Sequence, residues 1–141
     1  MLKRYVCDLH IHTCLSPCAD LEMSPLAVVR KAIERKLDII AVCDHNASEN
    51  AGYAIKAAQN TALRVLPGME ITTREEAHLL AIFEELDRLY ALQKIVYDHL
   101  PSGKNDEMVF GNQIVANEHD EVEGVNDRRL VSAVQIGIKE L

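Results

Sequence analysis

Five side chains of the kinds that bind metal ions occur at or next to segments that read as β-strands. They are His10, His12, His45, Glu70 and His78. A single His-x-His pair is weak evidence, because a core histidine hydrogen-bonded to a strand carbonyl gives the same pattern. Burying four imidazoles and a carboxylate without partners would cost several kcal/mol per group. Imidazole and carboxylate together suit Zn²⁺, Mn²⁺ or Fe, so the combined pattern predicts a metal site.

The elements that must position these residues alternate between strands and helices. Hydrophobic periodicity and capping signals predict strands at 5–12, 37–43, 63–71 (broken at Pro67-Gly68) and 77–83, and helices at 25–36, 49–61 and 85–100. Asp8, His10 and His12 share one face of the first strand because strand side chains alternate. The order predicts an α/β fold with a mostly parallel sheet, whose C-terminal strand ends gather the candidate ligands.

The remainder of the chain carries weaker signals. Residues 102–129 are polar and acidic, with β-like pieces at 113–116 and 121–125, and are predicted to form an excursion outside the α/β core. Residues 138–141 resemble the first turn of a helix. The length of 141 residues indicates one domain, residues 1–141, with the motif-bearing core in residues 1–100.

Composition excludes several classes of function. Lys and Arg number 15 against 22 Asp and Glu, and a net charge of −7 argues against nonspecific binding to nucleic acid or an anionic membrane. No apolar run reaches the ~18 residues that a membrane span needs. The N-terminus lacks the apolar segment of a secretory signal, so a cytoplasmic location is expected.

The four cysteines do not form a recognised motif. Cys7, Cys14, Cys18 and Cys43 include no C-x-x-C pair, which argues against a zinc ribbon or a thioredoxin-type site. Free thiols in a reducing compartment are the expected state. A metal-binding role for Cys14 or Cys18 remains open, since both lie between candidate ligands.

The motif order resembles the PHP family, named for polymerase and histidinol phosphatase. The resemblance covers about residues 5–84 and rests on DLHIHT at 8–13, Ser16 to Asp20 ahead of Ser24-Pro25, AVCDHN at 41–46, LPGMEIT at 66–72, and AHLL at 77–80. It implies a distorted seven-stranded (β/α) barrel of the TIM type. It also implies two to three divalent ions (Zn, Mn or Fe) that catalyse phosphoester hydrolysis with a metal-activated water.

Roles for individual residues follow from this resemblance. His10 and His12 would bind one ion, Glu70 would bridge to a second ion held by His78, and Asp20 with His45 would bind the third. Asp20 is expected to turn toward His45 while the loop of Cys14 and Cys18 folds over the cleft. Asp8 and Asp44 would orient the ligands from behind, and Arg74 is a candidate phosphate contact.

The later family motifs have no convincing match. The resemblance implies a further metal histidine and a closing Asp-x-His. His99 falls at a helix end and His119 in a polar stretch, where carbonyl contact and solvation are the simpler interpretations. At about 30 residues per strand–helix unit, this length supplies four to five units. The chain is therefore expected to be the N-terminal part of an incomplete barrel, weakly active and prone to aggregate through 37–43 or 77–83.

A metal-dependent phosphoesterase is the function these features favour. A phosphorylated small molecule is the preferred substrate, because no basic or aromatic stripe is present. A nucleotide or an oligonucleotide 3' end is the alternative substrate class. A non-catalytic PHP module with a structural or regulatory metal site is the alternative from another functional class.

Overall fold

The computed structural model describes residues 1–141 as a mixed α/β fold with a curled, half-barrel sheet. In chain order the elements are β1 (Cys7–Ile11), α1 (Pro25–Glu34), β2 (Ile39–His45), α2 (Glu49–Ala57), β3 (Arg64–Thr72), β4 (His78–Ile82), α3 (Leu86–His99), α4 (Glu107–Phe110), β5 (Ile114–Ala116) and β6 (Val122–Val125). The main sheet has the order β1-β2-β3-β4. The α/β alternation predicted from the sequence is confirmed over this region.

Local sequence explains how the first β-α-β unit forms. Ser24 caps α1 by accepting a hydrogen bond from the backbone N–H of Ala27 at 3.1 Å, and Pro25 occupies the first turn, where no N–H is needed. Val28 and Val29 of α1 then pack in one buried cluster with Ile40 and Val42 of β2. This packing holds β2 in the centre of the sheet, with parallel neighbours on both sides.

The fourth strand runs opposite to its neighbour, so the mostly parallel expectation holds for β1, β2 and β3 and fails for β4. Strand β4 pairs antiparallel to β3, with Thr72 opposite His78. Five residues, 73–77, join the two strands, too few for the crossover that a parallel pair requires. His78 therefore stands at the N-terminal end of its strand, beside the C-terminal end of β3.

The predicted excursion, residues 102–129, contacts the core through β5, and residues after it also pack there. Strands β5 and β6 form the predicted β pieces as a two-stranded antiparallel sheet. The N–H of Ile114 donates to the carbonyl of Cys14 at 2.8 Å, and Val134 and Ile136 belong to the main apolar cluster. Short-range patterning did not show these long-range contacts. Residues 138–140 form a turn rather than the first turn of a helix.

Only one of the two segments expected to expose a strand edge, 37–43 and 77–83, lies at the edge of the sheet. Segment 37–43 largely coincides with β2, which is paired on both sides, so it offers no free edge. The outer strands are β1 and β4, and Leu80 of β4 is exposed.

None of the helices has the length and the apolar composition that a membrane span requires.

Strand β3 continues through Pro67 and Gly68, where a break was expected. Gly68 lies opposite Cys43 of β2 and Ile82 of β4. A Cβ atom on Gly68 would lie 2.6 Å from the Cys43 sulfur, 3.0 Å from the Val42 carbonyl oxygen and 3.2 Å from the Ala81 carbonyl oxygen. The strand stays regular here because glycine leaves room for both neighbours.

Replacing Gly68 by alanine is expected to destabilise the fold by about 1–3 kcal/mol, because the added methyl group overpacks a site bounded by backbone. Gly124→Ala is the matched control, since a Cβ at Gly124 meets nothing within 4 Å. Urea unfolding of both variants measures the difference. Equal stability of the two variants would contradict the crowding at Gly68.

Candidate metal centre

The Glu70 carboxylate is the centre of a cluster of four histidines. Its Oε2 atom lies 2.9 Å from Nε2 of His10, 3.0 Å from Nε2 of His12 and 3.5 Å from Nδ1 of His45. Its Oε1 atom lies 2.7 Å from Nδ1 of His78. One carboxylate thus contacts all four imidazoles, with three on one oxygen and one on the other.

Four adjacent strands deliver these side chains to one edge of the sheet. His10 comes from the end of β1 and His12 directly follows that strand, while His45 ends β2 and lies opposite Glu70 of β3. His78 opens β4. Because β4 runs in the opposite direction, its first residue reaches the edge where the other strands end. The predicted convergence of His10, His12, His45, Glu70 and His78 in one cleft is therefore what the fold produces.

The cleft is open on one side. The side chains of His10 and His78 are 45% and 52% exposed, whereas that of Glu70 is 6% exposed. The carboxylate therefore forms the floor of the cleft and these two histidines form its rim.

Behind the cluster, Asp44 is fully buried and accepts three hydrogen bonds. Its Oδ1 accepts from the backbone N–H of Thr13 and from the Ser16 hydroxyl, each at 2.7 Å, and its Oδ2 accepts from the Thr13 hydroxyl at 2.7 Å. Burial raises the pKa of Asp44 to about 6, and these hydrogen bonds work in the opposite direction. Through these three hydrogen bonds Asp44 anchors the loop after β1 to β2.

Ser16 links Asp44 to His12, because its hydroxyl group contacts both side chains. The Ser16 hydroxyl donates its only proton to Asp44 and accepts from the backbone N–H of His45 at 3.0 Å. Its second contact is with Nδ1 of His12 at 2.9 Å. Since the hydroxyl has no further proton to give, Nδ1 of His12 must carry the hydrogen. The other nitrogen, Nε2, then points its lone pair at Glu70 and His10.

Two of the imidazoles are held neutral. Burial, and next the neighbouring His45, lower the pKa of His12 to about 4 against the attraction of Glu70. Burial also lowers the pKa of His45. Burial opposes ionisation of Glu70, but hydrogen bonds from His10 and His78 prevail and lower its pKa. Neutral imidazoles around an ionised carboxylate are the protonation states in which these groups bind metals.

The donor atoms fit a divalent cation. Nδ1 of His45 is buried and has no hydrogen-bond partner. Nε2 of His12 lies 3.0 Å from Oε2 of Glu70 and 3.1 Å from Nε2 of His10, so the potential donor atoms of three residues lie close together. This spacing suits side chains that surround one cation. Two groups of three potential ligands result: His10 with His12 and Glu70, and His45 with Glu70 and His78.

Asp20 lies outside these groups. It is exposed and lies beside Met23, Ala27 and Lys31 at a surface depression. The third group that the structure brings together contains Cys18 with His12 and His45. Metal binding by Asp20 stays a prediction, and Cys18 is the residue that occupies the position expected for Asp20. Cys14 is buried, with its thiol directed at the carbonyl of Ile114.

The two residues expected to support the ligands differ in what they touch. Asp44 contacts His12 through Ser16, whereas Asp8 is exposed and accepts from the backbone N–H of His10 at 3.3 Å rather than from a ring. Arg74 pairs with Glu140 at 3.2 Å, so its contact with phosphate stays a prediction. Sequence reasoning gave Ser16 no role of its own, although its place four residues after His12 was a usable signal.

The two later histidines lie where the simpler interpretations placed them. His99 ends α3, and its Nδ1 donates to the carbonyl of Ile95 at 2.8 Å. His119 is largely exposed and lies beside Glu118. Neither belongs to a group of potential metal ligands.

Replacing Ser16 by alanine is expected to lower the affinity for Zn²⁺ or Mn²⁺ by about 10–100-fold, the usual effect of losing a partner that orients a ligand. His12 would lose the acceptor that fixes its Nδ1 proton, so its proton would redistribute toward Nε2. Nitrogen chemical shifts of the metal-free protein report the tautomer, and calorimetric titration reports the affinity. Ser102→Ala, at an exposed serine, is the control. An unchanged tautomer with unchanged affinity would contradict the role of Ser16.

The fold and the cluster define a class of protein in which histidines converge on a shared carboxylate at one edge of a β/α sheet. The chain matches the model of the PHP domain over residues 8–125, and it belongs to that family. This confirms the resemblance seen in the sequence motifs and extends it past residue 84.

Two curated proteins are similar in sequence to part of this chain. The chain is 33% identical over 76 residues to a 5'-3' exoribonuclease of Haemophilus influenzae and 34% identical over 77 residues to the 5'-3' exoribonuclease Rnm of Escherichia coli. The matches cover 54% and 53% of this chain, and 26% and 25% of those proteins. The chain thus spans about a quarter of the length of the curated relatives it matches.

Two solved structures share the fold. One is a protein of Bifidobacterium adolescentis provisionally named a metal-dependent phosphoesterase, with a TM-score of 0.53 and 23% identity over 70% of this chain and 35% of that one. The other is an amidohydrolase of Chromobacterium violaceum with bound sulfate, with a TM-score of 0.51 and 24% identity over 65% of this chain and 33% of that one.

Proposed function

We propose that this PHP domain supports metal-dependent hydrolysis of phosphoesters. The observation that carries the proposal is the contact of one buried carboxylate, Glu70, with four imidazoles in an open cleft. Nδ1 of His45 is buried and has no hydrogen-bond partner in the protein, which leaves its lone pair available to a cation.

Each residue has a distinct role in this proposal. Glu70 would contribute one oxygen to each of two ions, because its two oxygens face different histidines. His10 would hold the ion at Oε2 and His78 the ion at Oε1, while Nε2 of His12 lies 3.0 Å from Oε2. Divalent ions bound there would polarise the phosphoryl oxygens and lower the pKa of a water molecule. Asp44, through Ser16, keeps His12 oriented with its free nitrogen toward the cleft.

An RNA 5' end is the second candidate substrate, beside a small phosphorylated molecule. The two curated relatives are 5'-3' exoribonucleases, and this favours a 5' end over the 3' end considered from sequence alone. The net charge of −7 and the absence of a basic stripe favour the small molecule. Both substrates present the same phosphoester group to the cleft.

The test compares two substrates with the metal-free and the metal-loaded chain. We expect Mn²⁺ or Zn²⁺ to stimulate release of phosphate from an aryl phosphate, or release of nucleotides from a 5'-labelled oligoribonucleotide. Glu70→Gln should abolish this activity. Glu84→Gln is its control, because Glu84 is exposed and lies past the opposite end of β4. Metal binding without turnover of either substrate would favour the non-catalytic module.

A further inference from the structure

A tight turn places Cys18 at the cleft. The backbone N–H of Ala19 donates to the carbonyl of Ser16 at 3.0 Å, so residues 16–19 form a β-turn with Pro17 at its second position. Proline favours that position because its φ angle is already fixed near the required value. The first residue of the turn, Ser16, is itself bonded to Asp44 and to the backbone of His45. The turn therefore fixes where the Cys18 backbone lies.

The side chain of Cys18 completes a group of donors with His12 and His45. Potential ligand atoms of the three residues all lie within 4.8 Å of one another. A tetrahedral Zn²⁺ ion bound at ~2.3 Å by sulfur and ~2.0 Å by nitrogen needs its sulfur and nitrogen ligands about 3.6 Å apart. The Cys18 side chain is exposed, so it can change rotamer while the turn holds its backbone in place.

The chemistry of this group differs from that of the other two. Two imidazoles and a thiolate are a softer set than imidazoles with a carboxylate, and thiolate ligands favour Zn²⁺ or Co²⁺ over Mn²⁺. Three protein ligands also leave a fourth tetrahedral position for water or substrate, as in catalytic zinc sites. His12 has one free nitrogen, so an ion that uses it leaves His10 and His78 to the two oxygens of Glu70.

We propose that Cys18 binds a divalent ion as a thiolate, together with His12 and His45, at a position selective for Zn²⁺ or Co²⁺. On binding, the thiol releases its proton to solvent and its sulfur forms the metal bond. This inference rests on the proposed metal-dependent function and adds the ligand and the ion preference of one position. It assigns to Cys18 the place that the motif pattern assigned to Asp20.

Cobalt provides the direct test, because a cysteine thiolate bound to Co²⁺ produces a charge-transfer absorption in the near ultraviolet. We expect the metal-free, reduced chain to develop this band when it is titrated with Co²⁺. Cys18→Ser should remove the band and one equivalent of tightly bound Co²⁺. Cys7→Ser, which removes an exposed thiol outside the three ligand groups, should leave both unchanged.

Asp20→Asn separates the two candidate ligands. We expect this variant to retain the band and the cobalt stoichiometry of the unmodified chain. Loss of one ion in Asp20→Asn, with none lost in Cys18→Ser, would overturn the assignment of Cys18. Cobalt that binds without the charge-transfer band would also overturn it and leave the proposed function standing. Failure of the chain to bind Co²⁺, Zn²⁺ or Mn²⁺ would reject both.

Alkylation gives a second measurement that does not depend on cobalt. One equivalent of Zn²⁺ should slow the reaction of Cys18 with iodoacetamide about tenfold, because a metal-bound thiolate is shielded. The same amount of Mn²⁺ should have little effect, and Cys7 should react at the same rate throughout. Peptide mapping by mass spectrometry distinguishes the two thiols. Equal reactivity of Cys18 with and without Zn²⁺ would contradict the proposal.

Discussion

Replacing Glu70 by glutamine is expected to weaken Zn²⁺ or Mn²⁺ binding by two to three orders of magnitude and to abolish any phosphoesterase activity. Glutamine keeps the shape of the side chain but removes the charge that all four histidines contact. Loss of one partner of a buried charged pair typically costs about 3–5 kcal/mol, which matches an affinity change of this size. Isothermal titration calorimetry measures the affinity and the number of ions bound.

Glu84→Gln removes the same charge at an exposed position and should leave the affinity unchanged. Circular dichroism of both variants shows whether the fold survives. A folded Glu70→Gln chain that binds ions as tightly as the control would mean that the histidines hold the ions without Glu70. The bridging role would then be rejected.

Replacing Asp44 by alanine is expected to destabilise the fold by about 3–5 kcal/mol. The substitution leaves the buried N–H and hydroxyl of Thr13 and the hydroxyl of Ser16 without their acceptor. Each such group costs about 1–3 kcal/mol when it is left unpaired. Because a domain of this size has a free energy of unfolding of only about 5–15 kcal/mol, the melting temperature should fall sharply.

Asp127→Ala is the matched control, since the side chain of Asp127 is 68% exposed and its carboxylate pairs with Lys104 at 3.7 Å. Its effect should stay within about 0.5 kcal/mol. Asp44→Asn, which keeps one acceptor oxygen, should lie between the two. If Asp44→Ala were as stable as Asp127→Ala, the network between β1 and β2 would not contribute to stability.

Much of the site could be predicted from the sequence because the ligands follow strand signals. His10 and His12 share a face through strand alternation, and His45 and Glu70 lie at or near the ends of apolar runs. The direction of β4 could also have been inferred, because five residues cannot cross over between parallel strands. The position of Cys18 relative to Asp20 could not be predicted from the sequence, because it depends on a turn that is held by the buried side chain of Asp44.

The packing of residues 102–141 was even harder to predict from the sequence. Leu130 is fully buried, and its carbonyl accepts from the side chain of Asn46 at 2.7 Å, across 84 positions of sequence. Periodicity within a short window carries no information about such a pair. The polar composition of this region predicted exposure to solvent. Some of its amide side chains, such as that of Gln113, are instead buried and donate hydrogen bonds to backbone carbonyls.

The antiparallel pairing of β3 and β4 has a consequence for the order in which the cleft assembles during folding. Hairpins with short loops form within microseconds, whereas pairing β1 with β2 must first close the long segment between them. Glu70 and His78 lie on the hairpin, and His10 lies on β1. We therefore expect the carboxylate and one histidine to become neighbours early in folding, before the imidazole of His10 joins them. An ion captured by this pair would act as a template around which the remaining strands gather.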